Sequence, residues 1–330
     1  VLICLDEIQN VRGWQAVVKK YYDLNPHIKF ILTGSSSLYL GDSAESLGGR
    51  VMDFSVGPLC FAEFLGLLGI SHLPTVGDLN ELSSFRFQRM SAERASLFNR
   101  FLLVGGFPEA VGMLSRDMLV VEIQQYLVNS IISKILTKDL QKYFSLEFVD
   151  QDLSLFKILC AESGSAINYK RLSKDITLSE EKIAQHVKTF QKASLVRALQ
   201  KFDPKLRKTI RAHPKVYAAS PCLVFSYLGH TTIPTGSLIG HVVEGYAFQR
   251  LQELSRNDNI FYVKPTRTSE VDFYLPNHKL FVECKYREEI SNALLDELAR
   301  YAKRFSLKPV LLSKKHWGNS EVHGIPATFL

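Results

Sequence analysis

The sequence begins with five consecutive apolar residues, Val1-Leu2-Ile3-Cys4-Leu5, that run directly into Asp6-Glu7. A continuous apolar run of this length suits a parallel strand covered on both faces, and open α/β sheets place their chemistry beyond the C-terminal ends of such strands. The other reading is a buried strand that ends in solvated charges. After a turn, Trp14, Val17, Val18 and Tyr21 recur at i, i+3, i+4 and i+7 and mark one amphipathic helix to Tyr22. Asp23-Leu24-Asn25-Pro26 stops that helix, and Lys29-Phe30-Ile31-Leu32 resumes as a second strand ending in Thr33-Gly34-Ser35-Ser36-Ser37. Strand, helix, strand in this order is a parallel unit. Small polar residues at the end of its second strand either sense a phosphate or simply form a turn.

A chain of 330 residues, 46% hydrophobic, can bury two or three cores of ordinary size. No apolar run approaches the roughly 18–20 residues that span a bilayer, and no signal-peptide pattern is present, so no membrane partner is expected. The five cysteines, at 4, 60, 160, 222 and 284, are odd in number, scattered and without a CxxC pair. They point to a reducing, cytoplasmic setting and away from disulfides and zinc. A net charge of +7 is compatible with nucleic acid but does not require it. Because Val1 falls inside a strand, the sequence is expected to be a fragment that starts mid-domain.

The chain continues through Leu47-Gly48-Gly49-Arg50 to Pro58-Leu59-Cys60-Phe61-Ala62-Glu63-Phe64-Leu65. The succession L-D-E-I-Q, I-L-T-G-S-S-S, L-G-G-R and P-L-C-F-A-E-F-L resembles the predicted AAA-type ATPases of archaea and bacteria that carry a C-terminal domain of unknown function. The resemblance implies that Asp6 and Glu7 are a Walker B pair, Asp6 holding Mg²⁺ and Glu7 orienting the attacking water. It makes Thr33 or Ser35 the sensor after the next strand and Arg50 a candidate arginine finger, a role that suits a permanently charged fork of donors. Arg50 also reads as a helix-end or surface arginine. ATP would be the cofactor of the intact protein, which the resemblance allows to be a homo-oligomer. No stretch matches the phosphate-cradling loop G-x-x-x-x-G-K-[ST]. In the family that loop lies upstream of the Walker B strand, so this chain is expected to bind ATP poorly or not at all.

Residues 66–150 read as a helical lid and connector without catalytic residues. Gly105-Gly106-Phe107-Pro108-Glu109 matches the family's G-G-F-P-E turn, and turn chemistry accounts for its glycines. From Met118 to Leu140 the set Leu119, Ile123, Tyr126, Leu127, Ile131 and Ile135 keeps one apolar face, as a single connecting helix should. Residues 151–235 read as winged-helix-like: helices at 153–162, 169–175 and 179–193, a strand at 195–199, a basic loop, and a strand at 216–218. The loop region holds Arg197, Lys201, Lys205, Arg207, Lys208, Arg211 and Lys215 against a single Asp203. A basic wing can lie along a phosphate backbone and supply salt-dependent affinity without sequence information. Lys201, Lys205, Arg207, Lys208 and Arg211 are the candidate nucleic-acid contacts; the other reading is a solvated hairpin. Glu180, Glu181, Gln185 and His186 on the third helix argue against major-groove reading.

Residues 236–330 open with a helix from His241 to about Leu254. At about 100° per residue, with Val243 at zero, Leu254, Ala247, Leu251 and Phe248 fall near 20°, 40°, 80° and 140°, and Glu244 falls near 100°, inside the apolar face. A carboxylate there needs a partner, a metal or a proton, so Glu244 is either functional or paired. Farther on, Glu270-Val271-Asp272-Phe273 and Glu283-Cys284-Lys285 flank a turn centred on Asn277-His278. Antiparallel pairing sets Asp272 opposite Glu283, with Cβ atoms roughly 5 Å apart, and period-2 alternation puts Lys285 on the face of Glu283. Two carboxylates and an ammonium then converge, a set suited to Mg²⁺ or Mn²⁺ and to water activation. A plain hairpin with cross-strand salt bridges is the other reading. Glu244, Asp272, Glu283 and Lys285 resemble the PD-(D/E)XK nuclease constellation, which recurs in the C-terminal domain of the ATPase family named above.

The expected fold is therefore α/β: a partial P-loop NTPase core (1–65), a helical lid and connector (66–150), a winged-helix-like domain (151–235) and a C-terminal restriction-endonuclease-like α/β domain (236–330). The expected function is the C-terminal portion of an AAA-type ATP-binding protein with a nuclease-like domain acting on nucleic acid, with metal at Asp272, Glu283 and Asp6. The alternative is a non-catalytic nucleic-acid- or protein-binding regulatory module whose sites are degenerate.

Overall fold

The computed structural model describes residues 1–34, 47–85, 91–140, 149–256, 258–266 and 269–330. At its start β1 (Leu2–Leu5) and β2 (Lys29–Leu32) run parallel, with Leu2 opposite Lys29 and Leu5 opposite Leu32, and are joined by α1 (Trp14–Leu24). Trp14 and Val18 of α1 form a small core with Ile8 and Leu47, packed on Leu5, Phe30 and Leu32. The expectation that β1 is covered on both faces is corrected. Leu2 and Cys4 are exposed and Ile3 and Leu5 half-buried, because α1 packs on one side of the pair.

The helical segment comprises α2 (Phe61–Leu67), α3 (Ala92–Val104), α4 (Pro108–Leu114) and α5 (Val120–Tyr126). Phe61, Phe64, Phe98 and Phe101 cluster with ring centroids 5.1–6.1 Å apart. The single connecting helix expected from Met118 to Leu140 is instead α5 followed by π-helical turns at Leu127–Ile132 and Ile135–Asp139. A turn closed i→i+5 shifts the helix face by a residue. The buried line therefore passes from Ile123 and Leu127 to Ile132, Leu136 and Leu140, leaving Ile131 and Ile135 half-buried and Leu119 exposed. Gly106 also has a different reason from turn chemistry. A Cβ there would stand 2.3 Å from Ser220 Oγ and 2.7 Å from Cys222 Sγ, so close packing on the start of a later helix requires glycine.

Next come α6 (Val149–Ala161), β3 (Ser165–Ala166), α7 (Tyr169–Ile176), α8 (Glu180–Lys192), β4 (Val196–Lys201), α9 (Leu206–Arg211), β5 (Lys215–Ala218) and α10 (Pro221–Leu228). Ser179 caps α8 by accepting from the Lys182 N–H at 3.3 Å, and Ile183, Val187 and Phe190 are buried as their spacing predicts. The last segment is α11 (Ser237–Leu254), β6 (Phe261–Val263), β7 (Val271–Leu275), β8 (Leu280–Lys285), α12 (Asn292–Arg304), β9 (Lys308–Ser313) and β10 (His323–Pro326). One eight-stranded mixed sheet, in the order β10-β9-β8-β7-β6-β4-β5-β3, unites both segments. The join is the parallel pairing of Gln200 with Phe261 and Lys201 with Tyr262. The helix α11 packs on the sheet within a core that reaches from Cys60 to Leu330, while α12 covers a second core around Phe281 and Leu311.

Candidate functional site

Carboxylates and ammonium groups meet where α11, β5, β7 and β8 converge. The hairpin pairs Phe273 with Val282 and Leu275 with Leu280, which sets Asp272 across from Glu283, the register expected from the turn. Here side chains take over the ladder: the Asp272 N–H donates to Glu283 Oε2 at 3.2 Å and the Cys284 N–H to Asp272 Oδ2 at 3.0 Å. Glu244 arrives from the buried face of α11. Alternation on β5 aims Lys215 and Tyr217 at the same place, and the Tyr217 hydroxyl donates to Glu244 Oε1 at 2.6 Å. Gly245 makes room for that ring, since a Cβ there would lie 3.2 Å from Tyr217 Cδ1.

Lys215 Nζ lies 2.9 Å from Glu244 Oε1, 2.6 Å from Glu270 Oε1 and 3.3 Å from Asp272 Oδ1. Lys285 Nζ lies 3.1 Å from Asp272 Oδ2 and 2.5 Å from Glu283 Oε1. Asp272 thus bridges two ammonium groups, and Lys264 adds a contact to Glu270 Oε2 at 3.3 Å. Lys215, Glu244, Asp272 and Glu283 are 4–6% exposed. A charge this deep needs an opposite partner, since leaving one unpaired would cost about 3–5 kcal/mol. Burial and the charge on Asp272 push Glu244 up to about 7, against the pull of Lys215. The same two causes push Glu283 up to about 8, against Lys285. Burial would raise Asp272 too, but Lys285, Lys215 and the Cys284 N–H hold it below its ordinary value. Burial favours neutral lysine, yet the surrounding carboxylates hold Lys215 and Lys285 above the usual ammonium range. One turn before Glu244, burial and the charge on Lys215 lower His241.

The oxygen donors are of the type that Mg²⁺ or Mn²⁺ prefers, but their spacing suits an ammonium. Mg²⁺ draws its oxygens to about 2.0–2.1 Å, whereas three carboxylate oxygens here stand 2.6–3.3 Å from Lys215 Nζ. Among the described residues no group of three or more His, Cys, Asp or Glu side chains is arranged to hold a metal ion. The metal expected at Asp272 and Glu283 therefore does not fit this arrangement, because lysine nitrogens fill the space between the carboxylates.

At the other candidate site, Asp6 follows β1 and accepts a hydrogen bond from Thr33 Oγ1 at the end of β2. Glu7 adopts a left-handed backbone, φ 49°, that turns the chain into a short 3₁₀ helix. Ser35 lies outside the described residues. Arg50 does not join Asp6. Its guanidinium grips Asp23, Nε at 2.8 Å from Oδ1, near the far end of α1, which carries the chain back along the strands. Among the described residues, Asp6 likewise belongs to no group of three or more His, Cys, Asp or Glu side chains arranged to hold a metal ion.

The basic stretch is not an open loop. It contains α9, on which Arg207, Lys208 and Arg211 are exposed, with Lys205 exposed at its N-cap, together with Leu206 (72%) and Ile210 (71%). Asp203 fastens the helix start by accepting from the Lys205 N–H at 2.9 Å. Lys201 is half-buried in the β4/β6 join. Two cations counted with this stretch are withdrawn from solvent: Lys215 enters the carboxylate cluster, and Arg197 donates to Gln252 Oε1 at 3.0 Å. Lys215, Glu270 and Tyr217 were missed as site residues. Period-2 alternation along Lys215-Val216-Tyr217 was the available signal for two of them, and the adjoining E-V-D sequence for Glu270.

Residues 1–65 match an AAA domain. This segment is thus an AAA-type, ATPase-like module, and AAA domains in general work with ATP and Mg²⁺. Residues 95–232 match a domain of unknown function, DUF8612. The uncharacterized protein MJ1544 of Methanocaldococcus jannaschii is 26% identical over 84% of this chain and 60% of its own length. MJ1637 of the same organism, also uncharacterized, is 27% identical over 63% of the chain and 45% of its own length. An uncharacterized protein of Haemophilus influenzae is 21% identical over 100% of the chain and 76% of its own length. The chain thus spans only about half of the two archaeal relatives. No solved structure matches it. Among the described residues no helix is long and apolar enough to cross a membrane.

Proposed function

We propose that this chain belongs to an AAA-type ATPase whose later segments bind nucleic acid along its phosphate backbone, through a winged-helix-like unit fused to a PD-(D/E)XK-like domain that holds rather than cuts. The observation that carries this reading is α9, which presents Lys205, Arg207, Lys208 and Arg211 to solvent at the wing position between β4 and β5. The chain order α6, β3, α7, α8, β4, β5, with the three strands side by side as β4-β5-β3, supports the winged-helix assignment. Cations on such a wing neutralise phosphates without reading bases, and Glu180 and Glu181 at the start of α8 disfavour its entry into a groove. In the intact, cytoplasmic protein Asp6 and Glu7 serve as the Walker B pair and Thr33 as the sensor; the Asp6–Thr33 hydrogen bond supports that grouping. Fluorescence anisotropy with labelled DNA and RNA duplexes tests the binding. The chain should bind both at low salt, and replacing the four α9 cations by Glu should weaken binding at least about tenfold; undiminished affinity would sink the proposal.

A second reading, metal-dependent phosphodiester cleavage, draws on the convergence of Asp272, Glu283 and Lys285 and requires an ion to displace the lysine nitrogens that stand between the carboxylates. It predicts oligonucleotide products with Mg²⁺ or Mn²⁺ that disappear in Asp272→Ala. An intact oligonucleotide with both metals removes it.

A further inference from the structure

We infer that Lys215 is the resident cation of the carboxylate cluster, holding the position a divalent ion would take, and that removing it opens a divalent-cation site. The inference uses the nuclease-like reading only to say which carboxylates a metal would face. An ammonium has three N–H donors, and each of the three has a carboxylate: Glu244, Glu270 and Asp272 at 2.9, 2.6 and 3.3 Å. The nitrogen is delivered by a fixed backbone. Lys215 pairs with Ala166 of β3 and Leu199 of β4, the preceding Pro214 carbonyl accepts the Ile167 N–H at 2.9 Å, and the His213 carbonyl accepts the Tyr262 hydroxyl at 2.9 Å. A cation tethered this closely acts at high effective concentration, so a free ion must compete with it intramolecularly.

Charge points the same way. With all four carboxylates ionised, Glu244, Glu270, Asp272 and Glu283 against Lys215, Lys264 and Lys285 leave a formal −1, and without Lys215 the remainder is −2, which a divalent ion would neutralise. Lys285 is the less suited to this role, with 31% of its side chain exposed against 7% for Lys215. Lys215 thus turns hard-oxygen donors that would attract Mg²⁺ or Mn²⁺ into a closed ion-pair network.

The test is Mn²⁺ binding by the whole chain, followed by calorimetry and by the loss of free-ion electron paramagnetic resonance. Lys215→Met should bind one Mn²⁺ at least about tenfold tighter than the unaltered chain, a difference of about 1.4 kcal/mol. Lys215→Arg should stay weak, and Lys215→Met with Asp272→Asn should lose the gain. Equal affinity in the unaltered chain and a folded Lys215→Met would overturn the inference. Should that variant fail to fold, lysine acylation of the unaltered chain read by mass spectrometry decides: Lys215 stays protected in millimolar Mn²⁺, and Mn²⁺-dependent labelling of Lys215 overturns the inference. Duplex binding measured on the same preparations keeps the two claims apart, since loss of nucleic-acid binding with the Mn²⁺ results unchanged would refute the proposed function alone.

Discussion

Glu283 should make the stability of the sheet depend on pH in a direction opposite to that of an ordinary salt-bridged carboxylate. Its carboxyl, ordinarily near 4.5, is pushed up to about 8, and that of Glu244 up to about 7. Between those values the folded chain keeps protons that the unfolded chain has lost. Stability falls with rising pH wherever the folded state binds more protons. The contribution is therefore full below about pH 4.5 and is lost as pH climbs through about 7 for Glu244 and about 8 for Glu283. At about 1.4 kcal/mol per pH unit for one proton, either group alone weakens the fold by roughly 3–4 kcal/mol between pH 5 and its folded value. Asp272 shifts downward and contributes no slope in that window, because both its states are ionised above its ordinary value. Trp317 packs against the α12 core, so its fluorescence in a Trp14→Phe background reports urea unfolding of this sheet. The urea midpoint should drop steadily from pH 5 to 8, and Glu283→Gln should flatten the drop and leave the part due to Glu244. A midpoint that rises or stays level, or an unchanged slope in Glu283→Gln, would rule out a raised Glu283 carboxyl as the source of the pH dependence.

Gly106→Ala should cost about 1–3 kcal/mol, the usual range for overpacking, with partial recovery when Ser220→Gly removes the atom 2.3 Å from the new Cβ; thermal unfolding measures both. Asp152 of α6 and His186 of α8 are hydrogen-bonded partners with side chains 1% and 2% exposed. Asp152→Ala should cost at least about 1–3 kcal/mol by leaving the imidazole unpaired, and a double-mutant cycle with His186→Leu should show strong coupling. Cys4 is exposed, while Cys60, Cys160, Cys222 and Cys284 are buried and their thiols are pushed up by that burial. Iodoacetamide should label Cys4 alone in the native chain, as counted by mass spectrometry.

The parts of this structure that were legible in advance are those governed by local periodicity. The two-residue period of β7 and β8 with a short turn fixed Asp272 against Glu283, and the 100° step of α11 put Glu244 inside. What local patterns do not encode is which segments share a sheet. The parallel β4/β6 pairing joins stretches separated by some sixty residues, and through it Lys215 changes from one more cation of a basic stretch into the partner of Glu244, Glu270 and Asp272. The π-helical turns after Tyr126 were equally hidden, since an apolar stripe at i, i+3 and i+4 assumes 3.6 residues per turn throughout. For Arg50, the sequence showed a basic residue after two glycines but not that Asp23, 27 residues earlier, would hold it.

If the exposed cations at α9 meet a phosphate backbone, duplex binding must weaken steeply with salt. For B-DNA, log K falls against log salt with a slope of about −0.9 for each phosphate neutralised, so Lys205, Arg207, Lys208 and Arg211 together predict a slope of at least about −3.6. Replacing those four should make the slope shallower by that amount, whereas Glu283→Gln should leave it unchanged. A slope near zero in the unaltered chain, or the same slope after the four replacements, would contradict the account.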